Sequence, residues 1–283
     1  PEFVAPLLSF RDDKLRGQFP VSARAYLEQS GSLTGTVEIR HEDGDKPVYR
    51  AFLRTAAGAR FTLAIKTVSM PAHGATVAAP GVTIGSTFIP TGLFSTVSPA
   101  PLNRTIGAQK VIVILSKCPG DPQWFSQNTM RDLITNKLNA FLVENSYGKA
   151  SIIGTVTPWI DLPASVCQPF PFFDNAVAAA DPTVDFAQYD AIIAFFPNGG
   201  ASAYLGPIPV QTNDGLLNMK VVNLGSNTFL TFSPVAILAH EFGHTFGFGH
   251  ANGMTCQAPL GTVGIDACTP IPNLGDPFDT MGG

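Results

Sequence analysis

Apolar residues recur along this chain with two different periods. "KVIVILS" at 110–116 is a nearly unbroken apolar run, which predicts a strand buried on both faces. "ASIIGTVTPWI" and "YDAIIAFFP" read as two more strands, and "LLNMKVVNLG", which follows the turn signal "TNDG", as another. Between the first two, Met130, Leu133, Ile134, Leu138, Phe141 and Leu142 follow an i, i+3, i+4, i+8 pattern, the spacing of an amphipathic helix. Ser126 or Asn128 can cap its start, and Gly148 lies just past its end. Nearer the N-terminus, "GTVEIRHEDGDKPVYRAFLRT" shows two extended runs around "DGD", and "RFTLAIKTV" is a third. That region predicts a small meander or sandwich of strands.

Charge divides the chain further. Clusters such as "RDDK" and "RHEDGDK" mark the first 66 residues, whereas residues 67–103 contain no Asp, Glu, Lys or Arg. The expected division is a β-rich N-terminal region over 1–104, ending in an uncharged linker at 67–103, then a second domain over 105–283. Strands and helices are both expected in the second domain, so the class is α+β. With 283 residues a sizeable core is available. A net charge of −4 gives no reason to expect nucleic acid as a partner. No run of 18 apolar residues exists, so no membrane span is expected. The opening "PEFVAPLL" lacks the features of a signal peptide, so an export signal is expected to have been removed or left out. Charged residues make up only 13% and there are four cysteines, which suits a secreted, disulfide-bonded protein. Proximity in sequence favours Cys256–Cys268, leaving Cys118–Cys167; four buried thiols are the alternative. The sequon Asn103-Arg104-Thr105 is compatible with secretion.

Three of five histidines lie in "HEFGHTFGFGH" at 240–250. Ser233 and Pro234 suit the start of a helix here. His240 and His244 would then share one face, one turn apart, where two imidazoles can converge on one zinc ion. Glu241, beside the first, can act as a general base on zinc-bound water. His250 could not join them on a continuous helix. It would lie about 15 Å further along the axis than His240 and point about 80° away. The helix must therefore end before it, and Gly247 is where the chain can turn back. One zinc ion held by His240, His244 and His250 is the expected cofactor.

The full pattern, His-Glu-x-x-His-x-x-Gly-x-x-His, resembles that of the metzincin metalloproteases. "GDPFDTMGG" at 275–283 is similar to the methionine turn beneath their zinc, with Met281 in place. Ala251 after the third histidine, and Gly283 where some branches carry a tyrosine ligand, set the chain apart from the best-known branches. "ENSYGKASIIGTVTPWI" and the methionine turn are most similar to the gametolysin-like peptidases and their bacterial relatives; the resemblance covers about 108–283. It implies a zincin-like domain with a mixed twisted sheet, an active-site helix and a methionine turn. It also implies a secreted, monomeric zinc endopeptidase acting on proteins or peptides. The substrate strand is expected along a sheet edge, with "GGASAYLG" at 199–206 read equally as that edge or as an ordinary loop. Chains of this family continue past the methionine turn, so the sequence is expected to be cut short there. Asp276 and Asp279 can hydrogen-bond a ligand histidine or hold the turn, and the turn is the favoured role.

The first 104 residues match nothing evident and read equally as a pro-region or an accessory domain. They contain no cysteine, so a latent form would use a carboxylate such as Asp12, Asp13, Asp43 or Asp45 on the metal, or the uncharged stretch across the cleft. His41 and His73 read as surface or core residues. Two other functions share these features: an inactive scaffold whose N-terminal region binds or adheres, and a zinc amidase acting on non-protein substrates.

Overall fold

A computed structural model describes residues 29–42, 48–65, 70–101, 103–167, 172–197, 199–231, 233–256, 268–271 and 279–282. The chain divides into two units, residues 1–40 with 49–102, and residues 41–48 with 103–283.

The first unit is built from β1 (Gln29–Glu42), β2 (Val48–Arg54), β3 (Arg60–Leu63), β4 (Thr76–Ile84), β5 (Thr87–Pro90) and β6 (Ser95–Ser98), with the ends at His41, Glu42 and Val48 assigned to the second. The order is β6-β4-β5-β3-β2-β1, and β4 also pairs antiparallel with β1, from Gln29 opposite Thr83 to Thr36 opposite Thr76. Five strands thus close into a ring, which leaves none of the five with an open edge. Val37, Ile39, Ala51, Leu53, Val77, Ala79 and Phe88 are buried in it. Glu38 is buried too, held by Arg54 Nε at 2.5 Å and Arg60 Nε at 3.0 Å. The uncharged stretch 67–103 is therefore not a linker: β4, β5 and β6 come from it. Val77, Ala79, Val82 and Phe88 of β4 and β5 are buried, which accounts for part of the missing charge, whereas all four residues of β6 are exposed.

The second unit is a sheet in the order β10-β12-β9-β7-β8, from β7 (Gly107–Lys117), β8 (Ala150–Asp161), β9 (Ala191–Phe196), β10 (Ala201–Tyr204) and β12 (Gly215–Gly225). β7, β8, β9 and β12 run parallel, while β10 and β11 (Ile208–Thr212) are antiparallel to β12. The apolar run expected at 110–116 lies within β7, and its side chains alternate between two cores. Val111, Val113 and Leu115 join Ile193, Phe195, Val222 and Leu224 on one face. Ile112 and Ile114 join Ile192, Ala194 and Val221 on the other. Burial on both faces explains why no polar alternation survives in the sequence.

The first face carries a helical run and the histidine helix. Helix α1 (Gln127–Asp132), a π-helical turn (Leu133–Leu138) and α2 (Asn139–Asn145) follow one another. Ser126 is the cap, its Oγ accepting from Thr129 N at 3.0 Å. Met130, Leu133, Ile134 and Leu138 bury against the sheet. Helix α3 (Phe172–Ala180) covers the other face through Ala176, Val177 and Ala180. Helix α4 (Ser226–Thr231) leads from β12 into α5 (Pro234–Thr245), which carries the histidines. A disulfide, Cys118–Cys167, joins the chain just after β7 to the chain shortly after β8. Cys256 and Cys268 are paired in register across the hairpin of β13 (Gly253–Cys256) and β14 (Cys268–Ile271).

Candidate metal centre

Helix α5 starts at Pro234, whose ring fixes the backbone angle the first helical residue needs. Ser233 occupies the cap position, yet its side chain makes no capping hydrogen bond. Leu238, Ala239 and Phe242 bury into the first core, which anchors one side of the helix. His240, Glu241 and His244 are themselves buried, Glu241 and His244 completely.

The helix ends where the sequence requires it to. Phe248 N donates to Gly243 O at 3.3 Å and Gly247 N to His244 O at 2.8 Å, a reversal that needs a left-handed residue at 247. Gly247 supplies it, with φ 94°. The turn has a second effect: Phe248 O is brought to 2.8 Å from His244 Nδ1. A carbonyl only accepts, so Nδ1 carries the proton and the Nε2 lone pair is directed away from the helix end.

The methionine turn does the same for His240. Its Nδ1 lies 2.7 Å from Thr280 O and must donate to it. Met281 N donates to Asp279 Oδ1 at 2.7 Å and Gly282 N to Asp279 O at 2.9 Å, so Asp279 holds the turn. Ala251 N donates to Met281 O at 2.9 Å, which ties the segment carrying His250 to the same turn. Met281 is buried, and its sulfur sits where a Cβ on Gly243 would be, 2.6 Å from that position. Only a residue without a side chain lets the turn approach the helix so closely.

The three rings converge. His240 Nε2 lies 3.1 Å from His250 Nε2 and 3.2 Å from His244 Nε2. The edge of a tetrahedral zinc site with bonds of 2.0–2.1 Å is about 3.3–3.4 Å. Because the Nδ1 atoms of His240 and His244 both donate to carbonyls, two neutral rings would face each other through Nε2 with lone pairs alone. Such an arrangement is repulsive unless a cation lies among the nitrogens or a ring is protonated. The residues therefore fit one zinc ion by donor type, tautomer and spacing.

A fourth histidine stands at the same place. His41, at the end of β1, is fully buried, with its ring centroid 4.5 Å from that of His244 and 4.0 Å from that of His250. Ligand atoms of His41, His244 and His250 all lie within 4.8 Å of one another. The sequence gives no sign of this: "RHED" has no metal-ligand spacing, and the juxtaposition arises only in the folded chain. His73, by contrast, is a structural acceptor, taking a hydrogen bond from Ile39 N at 2.9 Å.

No family model matches the chain, and no curated protein does. Among solved structures, one similar chain belongs to "Structure of a chaperone-substrate complex", at 12% identity and a TM-score of 0.28. The match covers 70% of this chain and 29% of that one, and a likeness so slight carries no argument about fold or function.

Other expected positions fall as follows. "GGASAYLG" contributes β10, antiparallel to β12, with Ala201, Ala203 and Tyr204 buried. Asn103 Nδ2 of the sequon donates to Thr245 O at 2.7 Å, so this amide is engaged at the end of α5. Asp12, Asp13, Asp43, Asp45 and Asp276 lie outside the described residues. A cleft of about 890 Å³ runs beside α5, lined by Phe141, Phe242, Phe246, Phe248 and Met281 but by none of the histidines.

Proposed function

We propose that this chain is a secreted zinc endopeptidase of metzincin type that hydrolyses peptide bonds in proteins or peptides. The observation that carries the reading is the mutual approach of His240, His244 and His250 through Nε2, with two of the rings oriented by main-chain carbonyls. Those three residues would hold the ion. When bound there, zinc supplies Lewis acidity at neutral pH.

The chain's own groups do the rest. Glu241 follows the first ligand directly and takes the proton of the attacking water as general base. It then returns that proton to the departing amine nitrogen. The main-chain carbonyls of Thr280 and Phe248 keep the His240 and His244 rings in the ligand tautomer throughout. The Cys118–Cys167 disulfide supports an oxidising compartment, and hence secretion.

The test compares wild type with Glu241→Gln on an unfolded protein substrate, with zinc content measured in both. Each is expected to bind about one zinc per chain, while Glu241→Gln cleaves about 10²–10⁴-fold more slowly. Equal cleavage by both removes the enzyme assignment. Full zinc content in a His240→Ala, His244→Ala double variant removes the site.

A further inference from the structure

We propose that His41 acts as a fourth imidazole at the metal centre, so that the intact chain is held in a closed, latent state. This rests on the three-histidine site proposed above. A zinc site with three protein ligands keeps one position open for water and substrate, whereas four protein ligands close it. In this fold the ring of His41 is packed against two of the three zinc-motif histidines, at 4.5 and 4.0 Å between centroids, and is shut off from solvent. One of its ring nitrogens is within 4.8 Å of those of His244 and His250. His240 Nε2 in turn lies 3.1 Å from His250 Nε2 and 3.2 Å from His244 Nε2, so the four rings meet around His244 and His250.

Chain organisation separates His41 from the other three. Residues 41–48 belong to the second unit, yet the chain on both sides of them, up to 40 and from 49 to 102, belongs to the first. Among its described residues, this short excursion carries His41. The motif histidines, in contrast, are fixed by their own helix, its exit turn and the methionine turn. A ligand carried by a separate excursion can be withdrawn without dismantling the remaining three. Imidazole also suits a releasable stop, being neutral and no stronger a donor than the three rings that stay. The cysteine-free N-terminal region thus needs neither a thiolate nor a carboxylate to cover the metal.

The experiment uses the full chain loaded with zinc or cobalt(II). X-ray absorption of the zinc form is expected to count four imidazoles in wild type and three in both His41→Ala and His41→Phe, the latter keeping a ring in the core without a ligand nitrogen. In the cobalt form, azide is expected to shift the visible spectrum of His41→Ala and to leave wild type unchanged. A site open about a tenth of the time or less works at about a tenth of its full rate or less. His41→Ala is therefore expected to cleave an unfolded protein about tenfold or more faster than wild type. Three imidazoles plus oxygen in wild type, or an equal azide response in wild type and His41→Ala, overturns the role of His41 and leaves the three-histidine site standing. Failure of wild type and both variants to bind stoichiometric metal overturns the site itself.

Discussion

The contact between Gly243 and Met281 permits a two-sided test of how the methionine turn is fastened to the helix. A Cβ on Gly243 would stand 2.6 Å from Met281 Sδ, where ordinary contact needs about 3.5–4.0 Å. Gly243→Ala therefore forces the sulfur to move by about 1 Å within a buried site. Overpacking of this kind costs about 1–3 kcal/mol. Against it stands the helix preference for alanine over glycine, about 1 kcal/mol. The difference is a net loss of about 0–2 kcal/mol in the wild-type background. In a Met281→Ala background the obstruction is gone and only the helix preference remains. There the same Gly243→Ala change is expected to stabilise by about 1 kcal/mol. Urea unfolding of metal-free protein measures both, because bound metal would add its own linkage. Tryptophan fluorescence is the suitable signal, since Trp124 and Trp159 both lie in the second unit. A stabilisation of about 1 kcal/mol in both backgrounds would refute the claim that the two residues exclude each other.

Two further outcomes follow from the second unit. Lys220 is almost fully buried, donating through Nζ to Gln109 Oε1 at 2.8 Å and to Arg104 O at 2.5 Å, and burial pushes its pKa down from 10.5 to about 8. Between pH 8 and 10.5 the unfolded chain binds more protons at this lysine than the folded one, so its contribution to stability rises with pH, by up to roughly 3 kcal/mol. Lys220→Met is expected to flatten that rise in a series of denaturation curves; an unchanged slope contradicts it. Replacing Cys118 and Cys167 by serine frees a loop of 49 residues. The expected loss is about 2–4 kcal/mol in the unfolding free energy of the same unit, read from urea denaturation, and a loss below about 0.5 kcal/mol contradicts it.

What the sequence made legible were features that depend on neighbours along the chain. The intervals of four and six between the histidines encode a helical turn followed by a reversal, so the end of α5 and the glycine at 247 could be placed by arithmetic. Alternating burial over 111–115 was equally local. Features that depend on distant segments were not legible. His41 reaches the motif histidines from about 200 residues away in sequence, and nothing around it marks the meeting. The uncharged stretch misled because lack of charge has two opposite causes: a tether with nothing to bury, and strands buried on one side. Only the pairing of β4 with β1, β5 and β6 separates them. The π-helical turn at 133–138 was invisible for another reason, since one extra residue per turn barely disturbs the spacing of Met130, Ile134 and Leu138.

The rings of His240 and His244 each place Nδ1 against a peptide oxygen, that of residue 280 and that of residue 248. Replacing Phe248 or Thr280 changes a side chain but leaves that oxygen in the chain. The orientation of these two rings is thereby uncoupled from the identity of the side chains at 248 and 280, so that substitutions there leave both contacts available.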